Sequence, residues 1–375
     1  MKKTYSLLLL MLLSFTHAFA SPDENQTKVL MLISGYGDET RPALSYDLEE
    51  LAQSYLVLHD NGVELDIATP KGGAVLVKTN KDDLAYIQRF KSIALKQLKN
   101  TKATKDISAS DYDGVFIVGG AGAMFDLPSD NATQAVLTDF AAQQHIIAAV
   151  CHGPAAIADV KLPNGKFLVE GKKVNGFTNI EEHAFSGEHI SMFPFLVQDK
   201  LTQNGGVFVS NDPMLPFVAV DKNLTTAQNP SSVPNAAEAM LLKLGVTPKP
   251  RDPFADEATM ELIAEAKNNG TVAIDLALSK NPQMYDLNYL ALYGFYAYAL
   301  APDSRKNVEL DLMEAISQHF QHPAYEAALI KALVEQNRNL AANEALTTFL
   351  TRYPSHEDVS ALTALVNPSS IEEQL

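Results

Sequence analysis

The 375-residue sequence predicts an α/β sandwich on a parallel sheet, followed by an all-helical domain. Three observations carry this. Short apolar, β-rich runs alternate with helical patterns as far as residue 250. Pro248, Pro250 and Pro253 then fall within six residues, which reads as a stiff boundary. Beyond it only Gly270 and Gly294 remain of the 19 glycines, and helical patterns follow one another to the end. The predicted organisation is a signal peptide at 1–20, an α/β domain at 21–250 and a helical domain at 251–375.

The first segment has a basic start, Lys2-Lys3, and an apolar run from Leu7 to Leu13. Ala18-Phe19-Ala20 then places small residues where a signal peptidase reads them. The run is shorter than the ~20 residues a membrane span needs. No cysteine follows it closely, so a lipoprotein is excluded. Cleavage after Ala20 removes two lysines and takes the formal charge from −16 to −18. The mature protein is expected to be exported and free of the membrane, in the periplasm of a Gram-negative source.

Strands are expected at 28–34, 63–68, 114–118, 146–150, 173–177 and 206–209. Several are continuous apolar runs, as for strands covered on both faces. Between them, Leu48, Leu51, Ala52, Tyr55 and Leu58 fall at helical spacing, and further helices are expected at 84–98 and 135–144. In the second domain helices are expected at 256–267, 272–279, 287–300, 308–320, 325–335 and 340–351. The last pair has the look of a tetratricopeptide-type hairpin, with Ala342, Leu346 and Pro354 at repeat-like spacing. Ile330 stands where such repeats carry a small residue, so a plain helical packing domain is the simpler reading.

Charge and cysteine count narrow the function. With 29 Lys+Arg against 45 Asp+Glu, the surface suits neither nucleic acid nor an anionic membrane. The acidic excess is marked from residue 251 onward, at 8 Lys+Arg against 18 Asp+Glu, and reads as a solvated face. The one cysteine excludes an internal disulfide and a cysteine-cage metal site.

That cysteine stands in Ala149-Val150-Cys151-His152-Gly153-Pro154-Ala155-Ala156. A buried strand runs into Cys151 and a small-residue helix is expected just after it. A sharp strand-to-helix turn lifts its side chain above the sheet edge, the logic of a nucleophile elbow. The free N–H groups of the following helix are expected to favour a thiolate. A lone cysteine is more often a buried packing residue; the flanking His152-Gly153-Pro154 reverses that preference.

The motif resembles the nucleophile elbow of the DJ-1/PfpI superfamily in its Hsp31-like, glyoxalase III-like branch. Further matching segments are Thr69-Pro70-Lys71-Gly72-Gly73, Leu98-Lys99-Asn100-Thr101-Lys102, Asp111-Tyr112-Asp113-Gly114, and the glycine loop running on from Val118-Gly119-Gly120-Ala121-Gly122. Two later ones are Gly176-Phe177-Thr178-Asn179-Ile180-Glu181-Glu182 and Gln228-Asn229-Pro230-Ser231-Ser232. The resemblance covers most of residues 28–245. It implies a flavodoxin-like, class I glutamine amidotransferase-like fold.

It also implies roles. Cys151 takes the place of the nucleophile, His152 of its partner and Glu182 of the acid that orients the imidazole. A one-residue slip would exchange Glu182 with Glu181. Glu50 matches the glutamate that approaches the thiol and would have a raised pKa. Its spacing from Asp47 also fits a capping box, which would only close the helix start. Gly119 and Gly120 would let backbone N–H groups face a developing oxyanion. The glycine pair lacks the lysine and spacing of a phosphate loop. Two departures stand out. Ala121 replaces a histidine common in relatives, which bears on substrate preference, and Ser54 replaces a proline.

His183 and His189 read as surface or core-edge residues, and Tyr285, Tyr289, Tyr293 and Tyr296 as packing. The implied activity is glutathione-independent conversion of a 2-oxoaldehyde such as methylglyoxal to a 2-hydroxy acid, or a related repair of glycated groups. It is a lyase or hydrolase activity that needs no cofactor and no metal, since thiol and bases suffice. The alternatives are a stress-related holding chaperone, with a client or partner at the helical domain, and a thiol sensor. Peptidase and amidotransferase activities rank below these. The superfamily commonly dimerises, so a homodimer is expected.

Overall fold

The computed structural model describes residues 26–77 and 81–367. The signal-peptide reading falls outside the described residues. Nine strands are present among the described residues: β1 (Lys28–Leu32), β2 (Glu64–Thr69), β3 (Lys102–Ala103), β4 (Gly114–Ile117), β5 (Ile146–Val150), β6 (Lys173–Val174), β7 (Val207–Phe208), β8 (Val218–Asp221) and β9 (Leu224–Ala227). Seven form one sheet in the order β3-β2-β1-β4-β5-β9-β8. All neighbours are parallel except β8 and β9, which form an antiparallel pair at one edge.

The sheet is covered on both faces, and side chains alternate between two cores as the pleat requires. Val29, Met31, Phe116, Val118, Ala148 and Val150 pack on one face. There they meet α1 (Leu48–Asp60), α2 (Ala85–Leu98) and α6 (Val233–Lys243). Leu30, Leu32, Val115, Ile117, Ile147 and Ala149 face the other way. They meet α3 (Asn131–Ala142) and α5 (Val197–Gln203). A short helix, α4 (Asn179–Phe185), comes after the β6 segment.

Two strand expectations are corrected. Residues 173–177 and 206–209 shorten to β6 and β7, which pair with each other outside the main sheet. The strand beside β5 is instead β9, Leu-Thr-Thr-Ala. Its two threonines are fully buried, so an apolar pattern does not reveal it.

Beyond Phe254 every element is helical: α7 (Ala255–Asn269), α8 (Val272–Lys280), α9 (Leu287–Leu300), α10 (Lys306–Ser317), α11 (Pro323–Glu335), α12 (Asn339–Arg352) and α13 (Val359–Val366), with one 3-10 turn at Pro282–Met284. α11 and α12 form a helical hairpin, and Ile330, Leu346 and Phe349 fill its core with Leu362 of α13. The two parts are not beads on a string. Met214 and Leu215, from the loop before β8, are buried in the core of the helical part. No helix among the described residues is long and apolar enough to cross a membrane.

Candidate active site

β5 delivers its last residue into Cys151, whose φ is +57°. That left-handed conformation is costly for a residue with a Cβ and persists only where the surroundings hold it. Two backbone bonds do so here. The Cys151 N–H donates to the Ala227 carbonyl at 2.9 Å, and the Cys151 carbonyl accepts from Phe177 N–H at 2.8 Å. The first explains why an unrecognised strand matters, since β9 is the rail against which the elbow is fixed. The turn is crowded, as a nucleophile elbow must be: a Cβ on Gly153 would lie 2.6 Å from the Ile117 carbonyl oxygen.

Three of the expected residues lie in line. Cys151 Sγ and His152 Nδ1 are 3.4 Å apart, and His152 Nε2 and Glu182 Oε1 are 3.1 Å apart. A carboxylate at Nε2 accepts the ring proton there, which leaves Nδ1 as the acceptor facing the thiol. Glu182 is 1% exposed and its Oε1 also accepts from Ser186 Oγ. Its neighbour Glu181 has a different task. It closes the capping box of α4 with Thr178 and accepts from Met214 N–H, Gln228 and Asn229. Of the two glutamates, it is Glu182 that lies on the histidine.

Glu50 approaches from α1. Asp47 caps that helix by accepting from the N–H groups of Glu49 and Glu50, so the Glu50 side chain is not needed at the cap. It turns toward the thiol, which its charge pushes up, and its Oε2 accepts from Gly119 N–H at 2.8 Å. Burial, with the nearby Asp47 charge, pushes the Glu50 carboxyl well above the usual carboxylate range. The Cys151 thiol is also pushed well up, by burial first and by the Glu50 charge second. This corrects the expectation of a thiolate favoured by a helix just after the cysteine. The segment there is a five-residue 3-10 turn, Gly153–Ile157, too short to outweigh desolvation.

The glycine pair divides its work. Gly119 N–H is committed to Glu50. Gly120 sits at φ +88°, ψ 152°, a region essentially restricted to glycine, against the Asp47 N–H end of α1. Among the described residues the N–H groups of Gly120 and His152 make no hydrogen bond, which leaves them as the candidate oxyanion donors.

Sequence reasoning missed the aromatic surround. The rings of Phe177 and Phe193 lie 4.7 and 5.7 Å from that of His152. Phe125 meets Phe193 at 5.6 Å and stacks on Tyr36 at 4.4 Å. Nothing in local spacing joins these four. Ser186 was findable, standing one helical turn after Glu182. His183 and His189 take no part in the relay. Among the described residues no cluster of His, Cys, Asp and Glu could hold a metal ion.

The chain resembles proteins of known description. It is 36% identical over 152 residues to a Schizosaccharomyces pombe protein named probable glutathione-independent glyoxalase hsp3104, covering 40% of this chain and 68% of that one. It is 27% identical over 228 residues to glyoxalase 3 of Candida albicans, covering 57% and 97%. Among solved structures, the Rapid Encystment Protein 24 kDa of Francisella tularensis superposes with a TM-score of 0.54 at 28% identity, covering 58% of this chain and 99% of that one. The model of the DJ-1/PfpI family matches residues 43–243, more than half of the sequence and the whole stretch that carries Glu50, the elbow and Glu182. With elbow, relay and sheet in agreement, the chain belongs to the DJ-1/PfpI family.

Proposed function

We propose that the chain is a cysteine-dependent, glutathione-independent glyoxalase that turns a small 2-oxoaldehyde such as methylglyoxal into the 2-hydroxy acid. The observation that carries this reading is one buried thiol with two bases on it, His152 Nδ1 at 3.4 Å and the Glu50 carboxyl. Cys151 Sγ adds to the aldehyde carbon while its proton passes to a base and the carbonyl oxygen gains a proton, giving a hemithioacetal. A base then removes the C–H proton of that carbon to form an enediol and returns a proton to the adjacent carbon. The product is a 2-hydroxy thioester. Water cleaves the C–S bond, releasing the acid and restoring the thiol. Overall one water is added and no electrons leave, so no redox partner is required. The half-buried aromatic surround suits a small, weakly polar substrate, and the glyoxalase names of two relatives point the same way.

Lactate formation from methylglyoxal tests the reading, with wild type set against Cys151→Ala and Glu50→Gln. Loss of at least ~10³-fold in Cys151→Ala with the fold intact is expected. Undiminished turnover in that variant, or an inactive wild type, would sink it. The sensor alternative is disfavoured, because Cys151 is 4% exposed and its thiol is held above the ordinary range. We also read the chain as exported, on the pattern of residues 1–20. Mass spectrometry of the mature N-terminus decides, with Ser21 expected and an intact Met1 refuting it.

A further inference from the structure

α4 has seven residues and carries Glu182 at its centre. A helix this short has little stability of its own, so its placement depends on what it is tied to. One tie is Glu181, 1% exposed, whose carboxylate accepts the Met214 N–H at 2.8 Å. Met214 lies two residues after Asp212. The Asp212 carboxylate accepts from Lys267 of α7 at 2.9 Å and, through both oxygens, from the guanidinium of Arg305, just before α10. Lys267 is itself nearly buried, at 7% side-chain exposure, and spends its other donors on Glu309 and on the Tyr293 hydroxyl. An ammonium has three protons and here has three acceptors, so its position is over-determined. Burial works against the Asp212 charge, yet Lys267 and Arg305 hold its carboxyl below the usual range. The second tie is at the end of α4, where the Phe185 ring packs edge-on against Tyr296 of α9 at 5.0 Å.

We propose that the helical part is a positioning element of the active site: Lys267 and Arg305, acting through Asp212 and the Met214–Glu181 bond, hold Glu182 on His152. The inference rests on the thiol chemistry proposed above. A catalytic constellation must be held to about 0.5 Å, and the Glu182–His152 contact of 3.1 Å has little slack before it ceases to be a hydrogen bond. The helical part is therefore not merely appended to the enzyme. Asp212, Lys267 and Arg305 touch no reacting atom; they act through Glu182. α9 carries tyrosines to this seam and to a second one, where Tyr289 meets Lys81, the ion-pair partner of Glu49 beside Glu50.

The test uses the full chain. Asp212→Asn is nearly isosteric, keeps the backbone carbonyl that accepts from Gln228 and leaves Lys267 paired with Glu309. Arg305→Ala removes one arm at a part-exposed position, and Tyr296→Ala removes the other tie. Lys306→Ala, which breaks an ion pair with Glu335 next to Arg305, is the control. Two readouts are taken: kcat and KM for methylglyoxal, and the pH profile of iodoacetamide alkylation, which reports Cys151 alone because the chain has one cysteine. Asp212→Asn is expected to lower kcat about tenfold with KM within about twofold. It should also move the alkylation limb to higher pH, because Nδ1 is no longer held in place to accept the thiol proton. Arg305→Ala and Tyr296→Ala should do the same to a smaller extent, and Lys306→Ala should match wild type. A folded Asp212→Asn with wild-type kcat and an unmoved limb overturns the proposal. Should that variant not fold, Arg305→Ala decides by the same criteria. If the wild type forms no lactate, the glyoxalase reading fails, while the alkylation profiles still decide whether the helical part positions the relay.

Discussion

Adding one methyl group at Gly119 should disable the site while leaving every catalytic residue in place. A Cβ built there lies 2.7 Å from Glu50 Oε2, 2.7 Å from Cys151 Cβ and 2.8 Å from the Val150 carbonyl oxygen. Comfortable contacts to carbon begin near ~3.5 Å, so the carboxylate must recede by roughly 0.8 Å. It now accepts Gly119 N–H at 2.8 Å, and such a retreat along that line takes it beyond hydrogen-bond range. Losing a buried hydrogen bond costs ~1–3 kcal/mol, and overpacking adds ~1–3 kcal/mol. The sum for Gly119→Ala is ~2–6 kcal/mol. A base displaced by nearly 1 Å should also cost on the order of 10²-fold in kcat. Chemical denaturation measures the first quantity and lactate formation the second. Gly35→Ala is the matched control, since its Cβ meets only Thr69 at 3.5 Å in ordinary contact, and it should stay within about 0.5 kcal/mol of wild type. A Gly119→Ala protein with wild-type stability and turnover would refute the placement of Glu50 against the thiol.

The neighbouring glutamates should separate cleanly. Glu182→Ala is expected to lose ~10²–10⁴-fold in activity, because the imidazole is no longer oriented. Glu181→Ala should cost about 3 kcal/mol or more of stability in urea unfolding, since it strands the Met214 N–H and two buried amides, and should lower kcat only about tenfold, through its hold on Glu182. The reverse pattern would mean that the assignment is slipped by one residue. Glu50→Gln should change the pH dependence of stability. The folded-state pKa of Glu50 is raised, so its contribution is fully present below the ordinary carboxyl range and is lost as pH rises through the folded value. The variant should thus gain thermal stability relative to wild type with rising pH, and a difference independent of pH would contradict the raised value.

How much of this was legible depends on how local each cause is. β1, β4 and β5 announced themselves because strands covered on both faces must be continuously apolar. β9 did not, because Thr225 and Thr226 are buried as polar residues; Thr226 Oγ1 accepts the Asn175 N–H at 2.8 Å. α6 begins at Val233 with Pro234 in its first turn, where a proline is a start signal rather than a break. Cys151, His152, Glu182 and Glu50 were legible as a motif. The side-chain choice between Asp47 and Glu50 at the cap was not, because it turns on Gly119, 69 residues away. Asp212 was invisible for the same reason, since its partners lie 55 and 93 residues further along the chain.

The least legible property was the charge state of the pair at the centre. The small-residue turn after Cys151 suggested a thiolate, but desolvation acts on the thiol and the carboxyl alike, and the Glu50 charge raises the thiol further. These are two views of one fact. The pocket tolerates a single negative charge on Cys151 and Glu50 together and resists a second, so the pair keeps a shared proton over a wide pH range. The proton can rest on sulfur, with a carboxylate ready to receive it, or on the carboxyl, with a thiolate ready to attack. A site that had fully expelled the proton would hold a better nucleophile and have no acid left for the second carbon. Moving a proton between adjacent carbons needs a group that gives back what it takes, within a space that water does not readily enter. Glu50, 2% exposed, beside the thiol and bonded to the glycine loop, is placed to do that. The elevated thiol pKa, which would count against a simple thiolate nucleophile, thus fits an enzyme whose chemistry begins and ends with the same proton.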